Sequence, residues 1–285
     1  MSVLRLFSFI ACVLLLLGAE TARAQLVPLA EGGARTLALG RAATALDGDV
    51  WAHYNPSSWA GLEGRAASAF ASQAFGLSEL RVGAVAYAEP TRYGTFAATA
   101  RTYGFEDFRE THFGVGYARA VPISATRAIH VGAALGYTGV SITEYGSGGA
   151  LGLSLGALME VLPGLDFGFH AYNVNRPELT DFDPLRSGLS VGLAYRPVEQ
   201  ALVLFSVDKE GTFNFSEDTT FPISFRGGVE VQPVDVLFLR AGFTTEPVRF
   251  STGVGVAVGI LRADVAAERH EVLGWTPAFG FGVQF

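Results

Sequence analysis

From Val248 to Ile260 the chain alternates without a break. Val248, Phe250, Thr252, Val254, Val256, Val258 and Ile260 fall on one side, and Arg249, Ser251, Gly253, Gly255, Ala257 and Gly259 on the other. A period of two sustained this long is a strand, since only in an extended chain do successive side chains point to opposite faces. Trp275 to Phe285 repeats the pattern, and 129–137, 151–161 and 189–195 show it more briefly. Read along the chain, it predicts strands near 65–73, 80–89, 94–104, 111–121, 128–142, 148–162, 165–176, 186–197, 200–209, 223–233, 236–245, 248–260, 261–270 and 275–285. Hairpin breakers such as Ser147-Gly148-Gly149 and Leu162-Pro163-Gly164 separate them.

The second face of these strands decides what they face. A soluble sandwich sets polar, water-compatible side chains opposite its apolar face. Here the second face is mostly Gly, Ala and Ser, which makes a poor solvated surface but suits a lumen that holds something. Apolar rows toward lipid with a small or polar interior are the outer-membrane pattern. The expected fold is therefore all-β, a transmembrane antiparallel β-barrel of about 14 strands, with strands of ~9–11 residues sufficing to cross. No run after Gln25 is apolar for long enough to cross a membrane as a helix.

Composition agrees. Of 285 residues 35 are glycine, 49% are hydrophobic and only 16% charged, which excludes a disordered chain. A net charge of −7 leaves no nucleic-acid partner to expect. Residues 1–24 read as a cleaved export signal: Arg5, an apolar stretch from Leu6 to Leu17, then Ala22-Arg23-Ala24. The one cysteine, Cys12, lies within it, which removes any disulfide framework. Residues 25–64 lack clean alternation and read as a hatch or plug inside the barrel formed by 65–285. In the hatch, Asp47 and Gly48 suit a turn, and Asn55-Pro56 a turn entering the first strand.

Chemistry is sparse. His53, His112, His130, His170 and His270 show no metal-ligand spacing, and no nucleophile elbow is present. A non-enzyme without metal or cofactor is expected. Charges gather by parity on the inward face of the late strands: Arg226, Glu230, Arg240, Arg249, Arg262, Asp264 and Glu268. They read either as a self-neutralising ladder or as a polar track or docking site for the hatch. Arg249 and Arg262 are candidate partners for Asp47 and Asp49. Gly253, Gly255, Ala257 and Gly259 are expected to allow the hatch a close approach.

Both ends of the mature chain resemble a known family. Residues 32–62 read GGARTLALGRAATALDGDVWAHYNPSSWAGL. Gly33-Ala34-Arg35, Gly40, Asp47, Asp49 and Asn55-Pro56 are similar to the opening motif of the PorV/PorQ outer-membrane barrels, relatives of the fatty-acid transporter FadL. Arg41 replaces a glycine of that motif, and Ser57-Ser58 replaces Ala-Gly. The C-terminus, with Phe281, Val283 and Phe285 on one face, resembles the signal by which the barrel-assembly machinery recognises outer-membrane proteins. The resemblance implies an outer-membrane location with lipid around the wall, and an accessory or shuttle role in type IX protein secretion, with secretion components or secreted C-terminal domains as partners. The alternatives are a FadL-like transporter of a hydrophobic ligand, or a structural barrel without transport.

Overall fold

The computed structural model describes residues 33–124, 127–179, 185–211 and 223–285. The expected export signal and residues 25–32 of the expected hatch lie outside them. Fourteen antiparallel strands close into one barrel, each paired to its chain neighbours and the last to the first. They are β1 (Ala66–Gln73), β2 (Arg81–Thr91), β3 (Gly94–Gly104), β4 (Phe108–Pro122) and β5 (Ala128–Ile142). Next come β6 (Gly146–Leu162), β7 (Leu165–Tyr172), β8 (Gly188–Val198), β9 (Ala201–Glu210) and β10 (Ile223–Val234). The wall ends with β11 (Leu237–Thr245), β12 (Val248–Val258), β13 (Leu261–His270) and β14 (Gly274–Gln284). Closure runs from Ala66 opposite Gln284 to Ser72 opposite Ala278.

The alternation read from sequence is the alternation of the wall, turned inside out relative to a soluble protein. Along β12, Val248, Phe250, Val254 and Val256 are exposed, while Arg249, Ser251, Gly253 and Gly255 are buried. The same holds along β8, where Val191, Leu193 and Tyr195 point out and Ser190, Gly192 and Ala194 point in. An exposed apolar face around a closed wall is a surface made for lipid.

The two ends of the barrel differ. Where the termini lie, connections are tight: 92–93, 163–164, 199–200, 235–236 and 259–260, with 123–127 the longest. The far end carries the longer 74–80, 173–187 and 211–222 beside the short 105–107, 143–145, 246–247 and 271–273. Short periplasmic turns and longer extracellular loops orient such a barrel, so the termini mark the periplasmic end.

Strand ends differ from expectation in a few places. The seventh strand stops at Tyr172 rather than 176, because Asn173 takes a left-handed φ of 48° and turns the chain into the lumen. The twelfth stops at Val258, since Gly259, with φ 58°, and Ile260 form the turn. β4 and β6 begin earlier than the alternation suggested.

Candidate functional site

Residues 33–62 precede β1 and lie inside the barrel, and the exposed Glu63 and Arg65 lead from there into the wall. Helix α1 (Ala34–Ala38) presents Ala34, Leu37 and Ala38, all buried, to a cluster with Trp51, Phe70, Ala266 and Ala278. From there the segment travels around the inner wall and meets the strands in descending order. Ala34 rests on Gly280 of β14, and Ala38 on Gly253 of β12. Leu39 and Gly40 lie on Gly228 and Gly242 of β10 and β11. Thr44 and Ala45 lie on Gly168 and Gly192 of β7 and β8. Asn55, Pro56 and Trp59 follow on Gly156, Gly132 and Gly116 of β6, β5 and β4. At these places a Cβ on the wall would collide with the segment, so glycine is what lets the two backbones touch. Trp51 closes the circuit against Phe70 of β1, with ring centroids 6.1 Å apart and edge to face.

Polar groups fix the register of this ring. Asn55 caps a 3-10 turn over Pro56–Gly61, its Oδ1 accepting from the Ser57 amide at 3.1 Å. Its Nδ2 donates to the Thr44 carbonyl at 2.7 Å and to the Ala157 carbonyl of β6 at 3.1 Å. Asn55-Pro56 thus begins a helical turn ten residues short of the wall, rather than the turn into the first strand expected from sequence. Thr44 Oγ1 shares a hydrogen bond with Ser190 Oγ, and Thr244 Oγ1 donates to the Gly40 carbonyl. Gly48 has the left-handed φ its position suggested, 68°. Within the segment itself is a cavity of about 10 Å³ lined by Thr36, Leu46, Trp51, His53 and Tyr54, the size of one water molecule.

The inward charges form two clusters and a pair. Arg35 donates twice to Glu230, from Nε at 2.9 Å and Nη2 at 2.6 Å. Glu230 also accepts from Arg240, which donates to Asp264 at 2.7 Å, and Arg262 lies 3.4 Å from Asp264. In the second cluster Glu268 receives Arg249 at 3.0 Å from the wall and Arg41 at 3.2 Å from the inner segment. Arg226 stands 3.3 Å from Asp208. Burial alone would lower the Arg35 pKa, but Glu230, and Asp49 beside it, raise it instead.

The expected pairing of Asp47 and Asp49 with Arg249 and Arg262 does not occur. Asp47 bonds His130 at 3.1 Å, and Asp49 accepts from the Trp51 amide and faces Arg35 at 3.9 Å. The wall arginines are occupied by wall acids, and the segment brings its own arginines to those acids. Of the four small residues expected to receive the segment, Gly253 does so. Gly255 instead makes room for Arg240, and nothing approaches Gly259.

The histidines, scattered in sequence, partly converge. His53 lies deep in the barrel, its pKa pushed down to about 3 by burial first and then by Arg101, His112 and His170. It is therefore a neutral ring at physiological pH, packed 5.8 Å centroid to centroid from Trp51. His112 Nδ1 lies 3.0 Å from Thr138 Oγ1. Among the described residues no group of three or more His, Cys, Asp or Glu side chains is arranged to hold a metal ion. Phe281 and Phe285 are exposed and Val283 is half-buried at the periplasmic end, where the Phe285 amide donates to the Arg65 carbonyl at 2.9 Å.

Two features at the extracellular end were not visible in the sequence. The chain after β7 packs Leu179 onto Val140 and Ala150 of the inner wall, with Phe108, Ile142 and Leu185 around them. Tyr103 meets Phe108 edge to face with centroids 6.0 Å apart. Moreover, β7 pairs with β6 only as far as Leu155. Above that, the β6 edge is covered by Val174, whose amide donates to the Leu153 carbonyl, and by the side chain of Asn175. That amide group accepts from the Leu153 amide at 2.8 Å and donates to the Leu151 carbonyl at 2.6 Å, in place of a strand.

The closed antiparallel wall is a fold shared with several solved barrels at low sequence identity. Among solved structures, the toluene transporter TbuX of Ralstonia pickettii superposes with a TM-score of 0.64 at 13% identity, over 91% of this chain and all of that one. A deltaS2 mutant of the TodX monoaromatic hydrocarbon channel gives 0.65 at 10% identity, over 91% of this chain and 100% of that chain. A FadL homologue of Pseudomonas aeruginosa gives 0.57 at 10%, over 90% and 98%. No protein-family model and no curated protein matches the chain.

Proposed function

We propose that the chain is a non-catalytic outer-membrane conduit for small hydrophobic solutes, with residues 33–62 as its hatch. The observation that carries this reading is the apolar cluster of Phe108, Val140, Ile142, Ala150, Leu179 and Leu185, facing inward at the extracellular mouth. An interior that only passed water and ions would be polar there. The solved barrels of the same fold that are named as transporters of toluene or channels for monoaromatic hydrocarbons point the same way. The secretion role implied by the PorV/PorQ resemblance draws no support from these neighbours. The ring of inner-segment residues packed on the wall glycines lies across a direct route down the lumen. The exit consistent with this is sideways, beside β7, where the Asn175 side chain takes the place of a strand along β6.

The test is uptake of radiolabelled toluene by cells lacking their own hydrocarbon channels, with arginine as a polar control. Expression of the chain raises toluene uptake and leaves arginine uptake unchanged. Leu179→Asp places a charge in the apolar mouth and lowers toluene uptake several-fold at equal membrane abundance. Toluene uptake no higher than in cells without the protein overturns the reading.

A further inference from the structure

The outer face of the wall carries a feature that solute passage does not use. β4, β5 and β6 span Phe108–Pro122, Ala128–Ile142 and Gly146–Leu162, beyond the ~9–11 residues that crossing a bilayer takes. Their outward side chains change character in consecutive rows at the extracellular end. Phe113, Tyr137 and Leu151 stand opposite one another and close the apolar band. One step outward stand Thr111, Gly139 and Gly149, and one step further Arg109, Ser141 and Ser147. These last two rows and Tyr137 enclose an open groove of about 360 Å³.

The groove has a consistent chemistry. The glycines let the Tyr137 ring lie flat along the wall as the groove's floor: its hydroxyl sits where a Cβ on Gly149 would collide with it. Thr111, Ser141 and Ser147 supply hydroxyl groups that both donate and accept. No carboxylate lines it. Arg109 is exposed, enters no ion pair among the described residues, and is the one cation at this end of the three strands. A tyrosine at the upper limit of an apolar band marks the boundary between hydrocarbon and headgroups. The hollow just above Tyr137 therefore lies at headgroup level, on the leaflet facing away from the termini.

We propose that this groove binds the phosphorylated sugar headgroup of an outer-leaflet glycolipid. The phosphate meets Arg109, whose planar donors suit phosphate oxygens. A sugar ring lies in the groove over the Tyr137 ring and against the three hydroxyls, and the acyl chains lie down the row of Phe113, Tyr137 and Leu151. The inference rests on the outer-membrane location in the proposed function and not on hydrocarbon passage.

Native mass spectrometry of the detergent-purified, full mature protein tests it, with divalent cations chelated. The probes are diphosphoryl lipid A, its fully dephosphorylated form and phosphatidylglycerol. The expected result is one retained diphosphoryl lipid A per barrel, with at least tenfold weaker binding of the dephosphorylated form and of phosphatidylglycerol. Arg109→Glu weakens lipid A binding at least tenfold. Arg119→Glu, on the same outward face of β4 near its periplasmic end, leaves binding unchanged. Arg109→Gln is read in place of Arg109→Glu if the latter loses heat-modifiable migration. Equal binding by the Arg109 variant and the unaltered protein overturns the proposal, as does phosphatidylglycerol binding as tight as that of lipid A. Membrane fractionation of the native protein tests location separately, so the two failures are distinguishable.

Discussion

Arg35 and Arg41 show how single residues tie the inner segment to the wall. Each enters a buried acid that already holds a wall arginine: Glu230 with Arg240, and Glu268 with Arg249. A buried ion pair gains little over an apolar substitute, but removing one partner leaves a charge stranded. Because Glu230 keeps Arg240, Arg35→Met is expected to destabilise the barrel by about 1.5–3 kcal/mol, the range for a hydrogen bond to a charged group. Adding Glu230→Gln should deepen that loss, since Arg240 then keeps only Asp264 as an acidic partner. Chemical unfolding of the detergent-refolded variants measures both, and an unchanged midpoint for Arg35→Met would count against the latch. Arg41 has a further peculiarity. It occupies a φ of 60° directly after Gly40 at 63°, a conformation that costs a non-glycine residue ~1–2 kcal/mol. The similar motif has glycine at that position, and the contact with Glu268 offsets the strain that arginine brings.

At the scale of elements, the strands were legible because the signal is local. Thr252 and Gly253 differ in burial for the same reason that they differ in parity, and a reader needs only neighbouring residues to see it. All fourteen strands were placed this way. The charges of β10 to β13 were likewise assigned inward from parity alone. The partners were not legible. His130 lies 83 residues from Asp47, and Glu230 lies 195 from Arg35, and no local pattern encodes which strand the segment passes. The apolar mouth was hidden for a related reason: Leu179 follows the last residue of β7 in an irregular stretch, where side-chain direction has no period. The final strand offers a prediction at this scale. Phe285 extends the outward aromatic row of β14 past the strand's last residue, Gln284. Deleting it is expected to lower the yield of heat-modifiable barrel in membranes severalfold, while Glu271→Ala, on the exposed turn before β14, leaves yield unchanged. Equal yields for the two variants would show that the terminal aromatic is dispensable.

For the whole molecule, the proposed hatch carries a prediction about conduction. Fourteen strands enclose a lumen that stays open unless something fills it, and here the segment packs against the inner wall from β14 round to β4. The intact protein is therefore expected to conduct ions poorly in planar bilayers. Removing residues 25–60 should raise conductance sharply, with the wall still resistant to unfolding by detergent at room temperature. High conductance from the intact protein would defeat the plug. The path of the segment also fixes an order of events. Its contacts run from β14 back to β4, so the binding surface for Ala34 does not exist until Gly280 has been made and placed. Contacts this distant along the chain are slow to form. The residues that come first in the chain must then be the last to find their places, after the strands made long after them have closed the wall.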